Sequence, residues 1–304
     1  MAEFVLGTVQ LGLEYGLANR TGKPNQDAAV ALLRHAVALG VRAFDTAAAY
    51  GDSEIRLGLA LAGLPVHVVT KLSPLSELGD NSAPGKVVAA VEASVAQSLR
   101  ALNTDCLDCV LLHRAQHLHQ YDGAVWRRLN DYVAAGVIAK LGVSVQSPAE
   151  VIAALADPAV RHIQMPFNLL DWRWREAGIL ESLAARPDVV VHVRSVFLQG
   201  LLAAGDPALW PAIAGVDAAA VLRELSALTA ELGRESLADL CLAYARGQNV
   251  IAGVVIGLET DAQLQKNVAL AQRPPLTPEE CHIIECRLPR LPEQLLNPAL
   301  WPKP

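Results

Sequence analysis

Four residues able to move or steer a proton fall at regular places in this chain. Asp45 follows the apolar run 41–44 and starts the stretch Asp45-Thr46-Ala47-Ala48-Ala49-Tyr50-Gly51. Lys71 follows His67-Val68-Val69-Thr70, and His113 follows Cys109-Val110-Leu111-Leu112. Each run has the character of a buried strand, so these polar residues fall at consecutive strand tips. A free phenol has a reference pKa of about 10, too high for easy proton exchange near neutral pH. A lysine ammonium beside a phenol favours the phenolate, and a carboxylate beside the lysine keeps it charged and oriented. A neutral histidine can hydrogen-bond a substrate oxygen and fix its position. Asp45, Tyr50, Lys71 and His113 therefore suit one task, moving a proton on or off an oxygen as its carbon changes oxidation state. Singly, each has a plainer reading: a satisfied strand-end carboxylate, a surface tyrosine, a solvated lysine, a packed histidine. All four at successive strand tips favour the chemical reading.

The elements that must position them alternate short β-branched runs with helical segments. Strand-like runs occupy 4–11, 41–46, 66–71, 107–112, 139–145, 162–167, 189–197 and 250–256. Helical spacing covers 26–39, 54–62, 86–101, 121–135, 148–156, 179–185, 218–232, 237–246 and 261–270. Gly40 is placed to close the first helix, Ser53 to cap the second, and Pro148 to open another. Runs of near-continuous Val, Ile and Leu indicate a parallel sheet covered on both faces. Eight such units in about 250 residues are the usual size of a (β/α)8 TIM barrel. The expected fold is therefore α/β, with residues 1–304 as a single barrel domain. A doubly wound sheet would need a glycine-rich phosphate loop, and Gly7-Thr8-Val9-Gln10-Leu11-Gly12 does not match G-x-G-x-x-G. The proline-rich stretch after Arg273 is expected to wrap the surface.

Composition narrows the remaining classes. A chain of 304 residues that is 52% hydrophobic can fill a large core. Its net charge of -6 argues against nucleic acid as a partner. No apolar run reaches membrane-spanning length, and Met1-Ala2-Glu3-Phe4 lacks the basic region and long apolar stretch of a signal peptide. A cytoplasmic location is expected. Five cysteines suit a reducing compartment. Cys106 and Cys109 have C-x-x-C spacing without a second pair and read as buried core positions. His113, His117 and His119 lack a carboxylate or cysteine to complete a metal site, so no metal is expected; His117 and His119 are read as loop residues lining or rimming the pocket. Trp172 and Trp174 could wall a substrate pocket or serve packing.

The sequence resembles the aldo-keto reductase family along nearly its whole length. The resemblance is carried by Leu6-Gly7-Thr8-Val9-Gln10-Leu11-Gly12, Phe44-Asp45-Thr46-Ala47 with Tyr50-Gly51, Thr70-Lys71 and Leu111-Leu112-His113. It continues through Gly142-Val143-Ser144, Gln164, Gln199-Gly200 and Val255-Ile256-Gly257 with Asn267. The opening Gly12-Leu13-Glu14-Tyr15-Gly16-Leu17-Ala18-Asn19 looks like a bacterial branch. The resemblance implies a barrel that binds a nicotinamide cofactor, NADPH or possible NADH, and reduces a small-molecule aldehyde or ketone. It implies Tyr50 as general acid, Lys71 as its partner, Asp45 as the lysine's counter-ion, and His113 as the carbonyl-orienting group. Gly7, Thr8 and Val9 match cofactor-contacting positions. Ser144 and Gln164 match those that hold the nicotinamide amide. Ser195 with Leu198 to Gly200 matches the pyrophosphate region, and Gly257, Glu259, Thr260, Gln263 and Asn267 match the adenosine end. Relatives of this size are mostly monomers or loose dimers. Substrate choice is expected from 73–85, 114–120 and the segment after Leu288.

Three positions depart from the family pattern. Val145 stands where many relatives have asparagine. Arg194 stands where many have a tyrosine that stacks on the nicotinamide; a guanidinium can stack as well, bind phosphate or meet an acidic substrate, or simply point outward into a salt bridge. The segment 257–263 carries Glu259 and Asp261 but no cation for a 2′-phosphate. Family habit implies NADPH, while this local charge favours NADH or dual use. Two other functions stay open: a Schiff-base aldolase or isomerase using Lys71, and a nicotinamide-binding sensor or regulatory subunit without turnover.

Overall fold

The computed structural model describes residues 2–16, 19 and 22–302. Met1 of the N-terminal stretch, and Leu17 and Ala18 of the opening motif, lie outside the described residues. Eight parallel strands pair in chain order and close β8 onto β1. They are β1 Glu3–Gly7, β2 Ala43–Asp45, β3 His67–Lys71, β4 Cys109–Leu112, β5 Leu141–Ser144, β6 His162–Pro166, β7 Val190–Arg194 and β8 Gly253–Gly257. No helix among the described residues is long and apolar enough to cross a membrane.

Helices pack around the barrel. The first half carries a short α1 Val9–Gly12, then α2 Gln26–Ala38, α3 Ser53–Leu61, α4 Pro84–Leu102 and α5 Ala124–Ala134. The second half carries α6 Pro148–Leu155, α7 Arg173–Glu176, α8 Ile179–Ala184, α9 Leu201–Ala204, α10 Ala218–Glu231, α11 Leu237–Arg246 and α12 Asp261–Gln272. Beyond these lie α13 Pro278–Arg287 and α14 Glu293–Leu296. In α4, Val87, Val91, Val95 and Leu102 form the buried stripe, with Pro84 in the first turn and left-handed Asn103 at the end. Each such side chain contributes roughly 1.5–3 kcal/mol on burial. The stretch after Arg273 does more than wrap the surface, because Thr277 and Glu280 build a reciprocal cap that starts α13.

Strand register sets the functional end of the barrel. Gly7 pairs with Asp45, Asp45 with Val69, and Lys71 with Leu111. Ser144 pairs with Gln164, Pro166 with Arg194, and Gly7 with Gly257. The C-terminal tips of all the strands thus form one rim.

Several local expectations change. The first strand stops at Gly7, and Val9–Gly12 turns into α1. The seventh stops at Arg194, because Ser195 has φ +61°. Ser53 does not cap α3: its hydroxyl is buried between those of Thr8 and Thr46, at 2.7 and 2.8 Å. Cys109 is buried as expected, but Cys106 precedes β4 and is exposed; both are free thiols, as are Cys241, Cys281 and Cys286.

Candidate active site

Lys71 lies inside the barrel at 1% exposure and needs partners for its charge. Its Nζ donates to Asp45 Oδ1 at 2.8 Å, Asp45 Oδ2 at 2.9 Å and the Thr46 carbonyl at 2.8 Å. All three ammonium hydrogens are therefore engaged. Burial works against the charge, but the Asp45 carboxylate, with help from Tyr50, outweighs it and holds the ammonium above the ordinary lysine range. Gln164, also fully buried, donates its Nε2 to Asp45 Oδ2 at 2.6 Å.

Tyr50 reaches this pair from the loop after β2. Lys71 Nζ stands 5.0 Å from the centre of its ring. His113 meets the same ring edge-on, with centroids 6.0 Å apart. Two glycines let the loop sit there. A Cβ on Gly12 would overlap the Tyr50 carbonyl oxygen, and Gly51, at φ +55°, faces the Gly12 carbonyl with no room for a side chain. Behind the loop, Thr8 Oγ1 donates to the Asp45 carbonyl at 2.8 Å and joins the Ser53 hydroxyl. Burial, and then the charges of Lys71 and Arg194, push the His113 imidazole down to about 4. It is neutral at pH 7, and its Nδ1 has no hydrogen-bond partner among the described residues.

The positions matched to cofactor binding fall around the same rim, with mixed engagement. Gln164 keeps Oε1 buried and unpartnered among the described residues. Its register partner Ser144 is almost fully buried. The Thr8 side chain is turned into the hydroxyl cluster, and Val9 has joined α1. Gly7 and Gly257 are paired neighbours in β1 and β8. Beyond β7, Ser195, Leu198 and Gln199 take φ of +61°, +45° and +58°, followed by Gly200 at +91°. Left-handed backbone costs a non-glycine residue about 1–3 kcal/mol and collects at ligand-binding segments. Thr260 and Gln263 form the reciprocal cap of α12, with Gln263 Oε1 accepting from the Glu259 and Thr260 amides; Asn267 lies further along that helix. The Asp261 carboxylate is bound to His35.

Arg194 extends from the tip of β7 across β6. Its Nη2 donates to the Val145 carbonyl at 3.1 Å, and its Nη1 meets Ser195 Oγ at 3.5 Å. Burial draws its pKa below the ordinary arginine value, while Tyr50, Tyr15, Asp45 and Glu150 act in the opposite sense.

Sequence reasoning missed two supporting residues. Glu54, buried in α3, accepts from Thr70 Oγ1 at 2.6 Å directly behind Lys71; burial raises its pKa. Its place in a first helical turn gives no sign of this contact. Tyr15, in the β1 loop, accepts a hydrogen bond from Gln199 Nε2 at 2.8 Å and so ties two sides of the rim together. The tryptophans after β6 serve packing: Trp174 is fully buried and donates to Asp171 at 2.9 Å, while Trp172 donates to the Leu291 carbonyl at 2.9 Å. His117 is buried in the loop after β4, beside Tyr121. No group of three or more metal-ligating side chains occurs among the described residues.

Known proteins resemble this chain in both sequence and fold. A profile described as "Aldo/keto reductase family" matches residues 3–286. Over 120 residues the sequence is 38% identical to "Methylglyoxal reductase YeaE" of Escherichia coli (strain K12), and the match spans only 38% of that protein's length. It is 25% identical over 300 residues to "Uncharacterized oxidoreductase YqkF" of Bacillus subtilis (strain 168), covering 92% of this chain and 94% of that one. Among solved structures, the holo form of aldo-keto reductase AKR11C1 from Bacillus halodurans superposes with a TM-score of 0.74 at 25% identity, covering 97% of this chain and 95% of that one.

Proposed function

This chain belongs to the aldo/keto reductase family, and from that premise we propose that it reduces an aldehyde or ketone with Tyr50 as general acid. Family membership supports an oxidoreductase acting on carbonyls; the cofactor and the residue roles are our reading. The observation that carries it is the Lys71 ammonium, fixed by Asp45 and Thr46 and standing 5.0 Å from the Tyr50 ring.

The rim fits a nicotinamide dinucleotide. Gln164 Oε1 is a buried acceptor without a partner among the described residues, suited to an amide N–H. Ser144 is its neighbour in register, and the left-handed turn at 195–200 offers a close backbone approach for a pyrophosphate. When bound, the cofactor, NADPH or NADH, supplies hydride to the carbonyl carbon.

The chain's own residues handle the oxygen. His113, neutral, orients the carbonyl by a hydrogen bond from a ring N–H. Tyr50 delivers its phenolic proton to the oxygen as negative charge builds there. The charge then left on Tyr50 faces a fixed cation that needs no rearrangement to stabilise it. Asp45 keeps that cation in place, and Gln164 keeps Asp45 in place. The raised pKa of Lys71 opposes a Schiff-base role, which needs a neutral amine.

The test is Tyr50→Phe. It should bind NADPH or NADH nearly as the wild type does, yet lose roughly 10²–10⁴-fold in carbonyl reduction, the usual range for a general acid. A variant that keeps most of its turnover would remove Tyr50 from the role.

A further inference from the structure

We propose that Arg194 forms an anion subsite in the mouth of the barrel and selects carbonyl substrates that carry a carboxylate. The inference builds on the reductase reading and names its substrate class. The guanidinium is held over β6 by two neutral acceptors, the Val145 carbonyl and the Ser195 hydroxyl. No carboxylate lies within 4.0 Å of its nitrogens among the described residues. Elsewhere in the same half of the barrel, Arg173 is matched to Asp171 at 2.7 Å. A guanidinium has five N–H donors in a planar fork, so Arg194 retains donors for a ligand.

Charge in the cluster points the same way. Lys71 and Asp45 are paired and His113 is neutral, while Arg194 has no carboxylate in ion-pair contact among the described residues. Glu150, the other carboxylate that faces Arg194, already accepts from the Gln146 and Ser147 amides as it caps α6. The groups that act electrostatically on Arg194 include Tyr50, Asp45 and Tyr15. Its charge therefore acts on the Tyr50 and Asp45 cluster. Its Nη2 bond to Val145 turns the guanidinium toward β5, while Nη1 stays beside Ser195 at the start of the 195–200 turn. Guanidinium and carboxylate match as a two-point pair.

The experiment compares 4-formylbenzoate with its methyl ester as substrates, and benzoate with benzamide as inert ligands measured by calorimetry. Wild type, Arg194→Gln and Arg194→Lys are assayed in parallel. The wild type should favour 4-formylbenzoate in kcat/KM and bind benzoate more tightly than benzamide. Arg194→Gln should lose on the order of ten- to a hundredfold more on the acid than on the ester, the worth of a charge-assisted hydrogen bond, and benzoate binding should fall in step. Arg194→Lys should restore part of both preferences. Equal losses on acid and ester, together with weaker NADPH binding, would overturn the proposal and assign Arg194 to the cofactor. Wild-type protein that binds benzoate no better than benzamide would also overturn it. Benzoate binding that depends on Arg194, with neither aldehyde reduced, would uphold the subsite and sink the reductase reading instead.

Discussion

Replacing Lys71 with methionine removes a cation from the barrel interior while keeping a hydrocarbon of similar length. Asp45 then loses two of its three side-chain contacts and retains only Gln164 Nε2. Leaving one partner of a buried ion pair alone costs about 3–5 kcal/mol. The carboxyl can escape that cost by taking up a proton. For a carboxyl of reference pKa near 3.9, protonation costs about 4 kcal/mol at pH 7 and about 1.5 kcal/mol at pH 5. The variant should therefore be less stable than wild type by about 3–4 kcal/mol at pH 7, and by about 1.5 kcal/mol at pH 5. Urea unfolding of both proteins at each pH measures this, and subtracting the wild type removes titrations common to both. Adding Asp45→Asn should recover much of the pH 7 loss. Carbonyl reduction should fall by orders of magnitude, since the cation fixed 5.0 Å from the Tyr50 ring is gone. A destabilisation independent of pH, or below about 1 kcal/mol at pH 7, would show that the Lys71–Asp45 pair is not the buried unit described.

Two further outcomes are expected. Burial holds His192 down to about 4, with the Asp45 carboxylate acting against that, and it holds the neighbouring His162 well below the usual value; the two rings are 4.3 Å apart. Both are neutral when folded, whereas the unfolded chain takes up protons below about 6.5. Their stabilising contribution is thus complete above the unfolded pKa and is lost as pH falls toward the folded one. For His192 that amounts to about 1.8 kcal/mol between pH 7 and pH 5, so a His192→Asn variant should show a shallower acid dependence of its urea midpoint; an identical slope would refute the assignment. On cofactor choice, tryptophan-emission titrations should show NADPH binding no more than about tenfold tighter than NADH. Glu259→Lys should move the ratio toward NADPH by roughly tenfold, as expected for reversing one charge near a phosphate, and an unmoved ratio would place Glu259 away from the ribose.

The barrel was legible because each parallel strand, covered on both faces, leaves a short apolar run of its own. The polar residue that ends such a run is legible for the same reason, so Asp45, Lys71 and His113 stand out. Tyr50 follows only because Gly12 and Gly51 bring its loop against α1, a contact that glycine spacing hints at and coordinates specify. What sequence periodicity does not carry is pairing between distant polar atoms. Gln164 reaches Asp45 across 119 positions, and Thr70 meets Glu54 from the adjoining strand. Ser53 shows how a local signal is overridden: a serine at a helix start normally caps it, but here two buried hydroxyls need a partner more than the helix end does. The same limit explains the end of the seventh strand, whose apolar run continues to Phe197 while the backbone turns left-handed at Ser195. Side-chain type specifies burial there and leaves the place of the turn unmarked. Arg194 stands at that boundary, the last strand residue before the turn, and its side chain is therefore free to reach over the barrel mouth instead of into the core.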